Sequence, residues 1–166
     1  HTFETLIRLC EEIPTVAAIK DWCNDPMLHE KHVRVLQNLS RPVNVLTTHS
    51  AWLMSSLVNG CKGLLSGAGS VIADLQIELW RAVEDQNLAS AKAVSDRIYP
   101  MTQVFYAPPF LDMHNRMKEA AVLLGRIPKA VVRPPLCKLD DTEVARIEAA
   151  IKEAGLGAEG SVSRAA

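Results

Sequence analysis

Residues 13–26 read Ile-Pro-Thr-Val-Ala-Ala-Ile-Lys-Asp-Trp-Cys-Asn-Asp-Pro. Pro14 closes whatever precedes it, and Thr15–Ile19 is a short apolar run bounded by Lys20 and Asp21. A run of that length between a proline and two charges predicts a fully buried strand. Asp25 is a good N-cap and Pro26 suits a first helical turn. The following stripe of Leu28, His32, Val35, Leu36 and Leu39 continues as a helix. On the other side, Phe3, Leu6, Ile7 and Cys10 mark a helix over 3–12.

The same alternation repeats downstream. Ser40-Arg41-Pro42 breaks the second helix, and Val43–Thr47 reads as a second strand. Ser50 is placed to cap a helix bearing Leu53, Met54, Leu57 and Val58, which Gly60 ends. Lys62–Leu65 is a third strand, and Ser66-Gly67-Ala68-Gly69-Ser70 is a flexible turn into a helix with Ile72, Leu75, Leu79 and Val83. Strands that each follow a helix must lie parallel, with right-handed crossovers. That order fits an α/β fold, either a doubly wound sheet or a β/α barrel.

The second half changes character. Residues 88–105 are helical in pattern, with Pro100 kinking or ending the helix. Asp112–Leu124 is a helix stopped by Gly125, and Lys129–Leu136 is extended because of its two prolines. Asp140 and Glu143 form a capping box for a last helix bearing Val144, Ile147 and Ile151. This divides the chain into a β/α part over 1–86, a helical part over 87–156 and a disordered tail over 157–166.

Composition excludes several classes. The chain has 166 residues, 48% hydrophobic and 22% charged, enough to bury a core. Its 18 basic and 19 acidic residues give a net charge of -1, with no basic excess to suggest nucleic acid. The apolar runs, such as Ala120–Leu124, fall far short of the roughly 18 residues of a membrane span. Glu4, Arg8, Glu11 and Glu12 interrupt any apolar stretch at the start, so no secretory leader is expected there. Cys10, Cys23, Cys61 and Cys137 form no C-x-x-C pair, which speaks against a zinc ribbon or disulfide framework. Cys10 and Cys61 sit in apolar patterns and read as small core residues.

The residues that could carry chemistry are few. Lys20 ends a strand, the end that faces the active site in β/α folds. A lysine there is a candidate Schiff-base nucleophile, and desolvation would favour the neutral amine it needs. The plainer reading is a lysine reaching for water. His49 could touch a substrate or shuttle a proton, or be a loop histidine near a helix start. His29 and His32, three apart, could share a metal but read as solvated surface on an outer helix, so no metal is expected. Gly67-Ala68-Gly69 could cradle an anion but reads as a tight turn. Trp22, Trp52 and Trp80 are scattered and make no stacking platform.

Four segments in order are more specific than any of these. Thr-Val-Ala-Ala-Ile-Lys-Asp (15–21), Gly-Cys-Lys-Gly-Leu-Leu-Ser (60–66), Met-Lys-Glu-Ala-Ala-Val-Leu-Leu-Gly (117–125) and Val-Arg-Pro-Pro-Leu (132–136) together resemble the dihydrodipicolinate synthase / N-acetylneuraminate lyase family. These are class I pyruvate-type aldolases built on a (β/α)8 TIM barrel with a three-helix C-terminal extension. The resemblance covers about 2–156 and only the family's back part, strands six to eight and the extension. It implies that Lys20 forms the Schiff base and that the backbone of Leu65 lies beside the bound 2-oxo acid. Thr48 and His49 fall where many synthases carry Gly-Asp, which implies a different acceptor or 2-oxo acid. The family's carboxylate-binding Gly-Thr-Thr/Ser loop and catalytic tyrosine have no counterpart here, and Tyr99 and Tyr106 cannot fill that role.

The resemblance therefore implies a C-terminal fragment of a cytoplasmic lyase, an aldolase or a dehydratase. Such an enzyme acts on a small-molecule 2-oxo acid such as pyruvate with no cofactor. It binds neither nucleic acid nor membrane, and it forms a homo-oligomer, commonly a tetramer. The alternative is an inactive fragment or homologue that keeps only packing and oligomerisation surfaces. Three strands of a barrel that needs about 250 residues would leave two open edges and one bare face.

Overall fold

Thr2 opens the first helix by accepting a hydrogen bond from the Thr5 amide at 3.2 Å. In the computed structural model, which describes residues 2–157, that helix is α1 (Phe3–Glu12). The tail expected over 157–166 lies outside the described residues from 158 onward. The chain divides into two compact units, residues 1–66 and 67–166.

The first unit holds a three-stranded parallel sheet of β1 (Ala18–Asp21), β2 (Asn44–Thr47) and β3 (Gly63–Leu64), in the order β1-β2-β3. Between strands run α2 (Pro26–Leu36) and α3 (Leu53–Val58). Asp25 caps α2 as its sequence suggests, accepting from the amides of Met27 (2.9 Å) and Leu28 (3.2 Å). Asn24 tolerates the left-handed turn before it, at φ 55°. Gly60, at φ 93°, ends the turn after α3 where a side chain would be strained.

The first strand lies about one turn later than its apolar run. The Val16 amide closes a turn onto the Ile13 carbonyl at 3.1 Å, and Arg41 Nη1 takes the Val16 carbonyl at 2.7 Å. Pairing starts only where the Asn44 amide reaches the Ala17 carbonyl, at 3.0 Å. The strand is also not buried on both faces. Asp21 is buried while Ala18 and Lys20 are exposed, and in β2 Val45 and Thr47 are buried while Asn44 is exposed. One sheet face is covered, with α2 packed against β2, and the other is open. A third difference concerns Ser50. It opens a short 3-10 turn (Ser50–Trp52), and His49 caps that turn through Nδ1.

The second unit is helical: α4 (Gly69–Glu84), α5 (Leu88–Phe105), α6 (Met113–Leu123) and α7 (Asp141–Glu153). The α5 helix continues past Pro100 rather than ending there, at the cost of one missing amide. Buried Ile98, Met101 and Phe105 on both sides of the proline hold the two halves against one core. No helix among the described residues is long and apolar enough to cross a membrane.

A buried arginine joins these helices. Arg116 is 1% exposed. Its Nε donates to Glu143 Oε2 at 2.9 Å, Nη1 to the carbonyls of Ala107 and Pro109, and Nη2 to that of Pro108. Glu143, which also pairs with Arg146, is held below the usual carboxylate range chiefly by the Arg116 hydrogen bond. Removing Arg116 takes the side-chain donor from the Ala107 and Pro108 carbonyls and one of two arginines from Glu143. We expect Arg116→Ala to lower unfolding stability by about 3 kcal/mol, measured by urea unfolding, and an exposed-pair variant such as Lys92→Ala to change it by less than about 0.5 kcal/mol.

Candidate active site

Lys20 and Asp21 are neighbours on one strand, so their side chains leave opposite faces of the sheet. Lys20 goes to the open face. It is in register with Leu46 of β2, which pairs in turn with Gly63 of β3. The Leu46 side chain lies over Gly63, where an added Cβ would come within 2.8 Å of Cδ2. The absence of a side chain at 63 therefore keeps this row flat beside the lysine.

The other residues assigned to substrate lie where the strands end. Thr48 is buried and its Oγ1 donates to the Leu65 carbonyl, while the Leu65 amide donates to the Thr47 carbonyl at 2.9 Å. Thr48 and Leu65 are thus joined, with the Leu65 side chain exposed. His49 is buried between two indoles, 4.9 Å from Trp22 and 4.2 Å from Trp52, with rings nearly parallel. Two tryptophans that look scattered in sequence thus flank one histidine. Burial pushes His49 below its ordinary value, and the Ala51 amide donates to Nδ1, so the neutral ring carries its proton on Nε2. The Gly67-Ala68-Gly69 segment is a turn that closes on itself. The amides of Ser70, Val71 and Ile72 all bond to the carbonyls of Gly67 or Ala68.

Asp21 goes to the covered face and meets the largest departure from the sequence reading. His29 and His32 are not solvated: they are 3% and 7% exposed. Both present Nδ1 to one oxygen of Asp21, Oδ2, at 2.7 and 2.8 Å, and the Cys23 amide donates to Oδ1 at 3.0 Å. An ionised carboxylate only accepts, so both rings carry a proton on Nδ1. The second nitrogen of His29, Nε2, is buried without a hydrogen-bond partner among the described residues, and the Cys61 thiol influences the ring. Burial alone would raise Asp21, but the hydrogen bonds from His29 and His32 outweigh it and hold the carboxyl far below its usual range. Burial likewise opposes charge on His29. Asp21 and Cys61 reverse that and push His29 up to about 9.

Asp21, Cys23 and His29 place ligand-type atoms within 4.8 Å of one another. Their chemistry is that of a hydrogen-bonded cluster. The Cys23 thiol donates to the Asp25 carbonyl at 3.2 Å, burial pushes it up to about 11, and each Nδ1 gives its proton to Asp21. The spacing held a signal: His29, His32, Val33 and Leu36 share one helical face, and all four are buried.

Comparison with known proteins gives this geometry a lineage. Residues 2–154 match the model of the dihydrodipicolinate synthetase family. The chain belongs to that family. A 4-hydroxy-tetrahydrodipicolinate synthase of Campylobacter lari is 25% identical over 158 residues, covering 90% of this chain and 48% of the relative. Among solved structures, a monomeric dihydrodipicolinate synthase variant superposes with a TM-score of 0.83 at 21% identity, covering 92% of this chain and 50% of its own. A prophage protein of E. coli K12 from the dihydrodipicolinic acid synthase family, solved in complex with pyruvate, superposes with a TM-score of 0.79 at 23% identity, over 89% and 49%. The chain therefore spans about half the length of the family members it matches, and shares their fold over that half.

In this family member the Asp21 cluster makes stability depend on pH. His29 is raised when folded, so its contribution is complete below its unfolded value near 6.5 and is lost as pH rises through about 9. Asp21 is lowered, so its contribution is complete above about 3.9 and is lost only as pH falls below that. Buried His49 is lowered, and its contribution fades as pH drops below about 6.5. Thermal unfolding should accordingly peak near pH 6.5 and weaken towards pH 9. His29→Gln should lie lower at pH 6.5 and lose the decline between pH 7 and 9. An unchanged alkaline slope in that variant would contradict the assignment.

Proposed function

We propose that this chain carries the lysine side of a lyase site that works on a 2-oxo acid through a Schiff base. The observation that carries the reading is Lys20 itself. It stands near the C-terminal end of a parallel strand, on the open face, in a row with Leu46 and Gly63. Family membership and the likeness to a pyruvate complex support it.

In this reading the Lys20 amine attacks the C2 carbonyl of the 2-oxo acid and water leaves. The resulting iminium withdraws electrons, so a carbon–carbon bond at C3 forms or breaks through the enamine. Loss of water from a sugar-derived 2-oxo acid is the variant outcome. The scheme calls for no metal or organic cofactor. Thr48 and the Leu65 backbone shape the wall beside the 2-oxo acid, and neutral, stacked His49 gives that rim a fixed aromatic surface. The three strands correspond to the sixth to eighth of a barrel, and the later helices to the family's extension. A small-molecule substrate, a homo-oligomer and a cytoplasmic setting belong to the same proposal.

The test is incubation with pyruvate followed by borohydride and peptide mapping by mass spectrometry. The expected result is a reduced pyruvyl adduct on Lys20, absent from Lys20→Arg. Adducts spread over exposed lysines such as Lys92 and Lys129, with none on Lys20, would overturn the proposal and favour a chain that keeps only its packing surfaces.

A further inference from the structure

We propose that Asp21 and His29 are positioning residues that set the direction of Lys20 from behind the sheet; this rests on the Schiff-base reading above. The strand that bears Lys20 is four residues long and stands at the edge of the described sheet, paired only with β2. Its entry is held by Arg41, whose guanidinium bonds to the carbonyls of Cys10, Ile13 (2.9 Å) and Val16 (2.7 Å). Its exit is held by Asp21. With that carboxylate fixed by two imidazoles and one amide, the backbone at Asp21 is held, and with it the direction in which the Lys20 Cα–Cβ bond leaves the sheet.

The hold extends across the sheet. His29 bonds to Asp21 through Nδ1, and the neighbouring Cys61 thiol raises its pKa further. The Cys61 thiol faces the Gly63 carbonyl at 3.5 Å, and Gly63 stands in the row that contains Lys20 and Leu46. The Asp21–His29 bond and the Cys61–Gly63 bond thus lie side by side beneath the row that bears the lysine. His32, stacked on Phe3 at 5.5 Å, supplies the second proton to Asp21. Stability alone does not account for this arrangement, because apolar replacements of buried ionic clusters are often as stable or more so. The cluster gives what apolar packing lacks, a fixed orientation beside the reactive lysine.

Two measurements on the full chain test this. Hydrogen exchange should show the amides of residues 20–23 losing protection in Asp21→Asn and His29→Gln, with β2 unchanged. Borohydride trapping at saturating pyruvate should slow on the order of tenfold to a hundredfold, while the half-saturating pyruvate concentration stays within about twofold, as expected when orientation rather than binding is lost. Asp21→Glu should recover part of the rate, and Arg34→Ala, on the exposed face of the same helix, none of the defect. Folded Asp21 and His29 variants with normal exchange and normal trapping would overturn the proposal. If neither folds, Cys61→Ala decides, since Cys61 acts on His29 without touching Asp21: unchanged protection at 20–23 overturns the proposal, and a smaller loss in the same direction supports it. A wild-type chain without an adduct on Lys20 would fail the Schiff-base reading itself, and the exchange data would still show whether the cluster holds the strand.

Discussion

A carboxylate buried beneath a sheet has to be paid for, and the first unit is arranged around that requirement at Asp21. Two histidines from one helix and a backbone amide converge on its two oxygens. The requirement explains why α2 presents imidazoles where a helix packed on a sheet would ordinarily present aliphatic groups. It also explains why the turn between β1 and α2 is so tight. Asn24 takes a left-handed conformation, and Asp25 caps the helix, so that His29 arrives one turn later beneath the strand. Because successive strand residues face opposite ways, the backbone held below at Asp21 also sets where Lys20 leaves the sheet above.

The two faces of the sheet divide the work. Below lie charge, hydrogen bonds and buried apolar groups such as Val45 and Leu36. Above, Lys20, Leu46 and Gly63 form an open row, and the strand ends carry the Thr48–Leu65 bond and the Trp22–His49–Trp52 stack. Separating the two keeps the cluster's charges apart from the face where a neutral amine would be needed. The second unit has its own fixed point in Arg116, which gathers three carbonyls and Glu143.

Much of this was legible in the sequence because it is local. Asp25-Pro26 announced α2, Asp140 and Glu143 announced α7, and the alternation of apolar runs and stripes announced parallel strands joined by helices. Lys20 and His49 stood out by their places after apolar runs, while Thr48 and Leu65, and the role of the lysine, came through the resemblance of four segments to one family. What escaped was long-range. Whether His29 and His32 are surface or core depends on a carboxylate eight and eleven residues earlier and on which face of the strand it leaves. The start of β1 was misplaced because Arg41, 25 residues downstream, takes the Val16 carbonyl before the ladder begins. Trp22 and Trp52 meet His49 only because parallel strands bring their following loops to one rim.

The most direct measurement is a crystal structure of the chain after reduction with borohydride in the presence of pyruvate. The account predicts pyruvyl carbon bonded to Lys20 Nζ above the Leu46–Gly63 row, with Asp21 still held by His29 and His32 on the opposite face. Density on another lysine, or an Asp21 side chain turned away from both histidines while Lys20 carries the adduct, would contradict it.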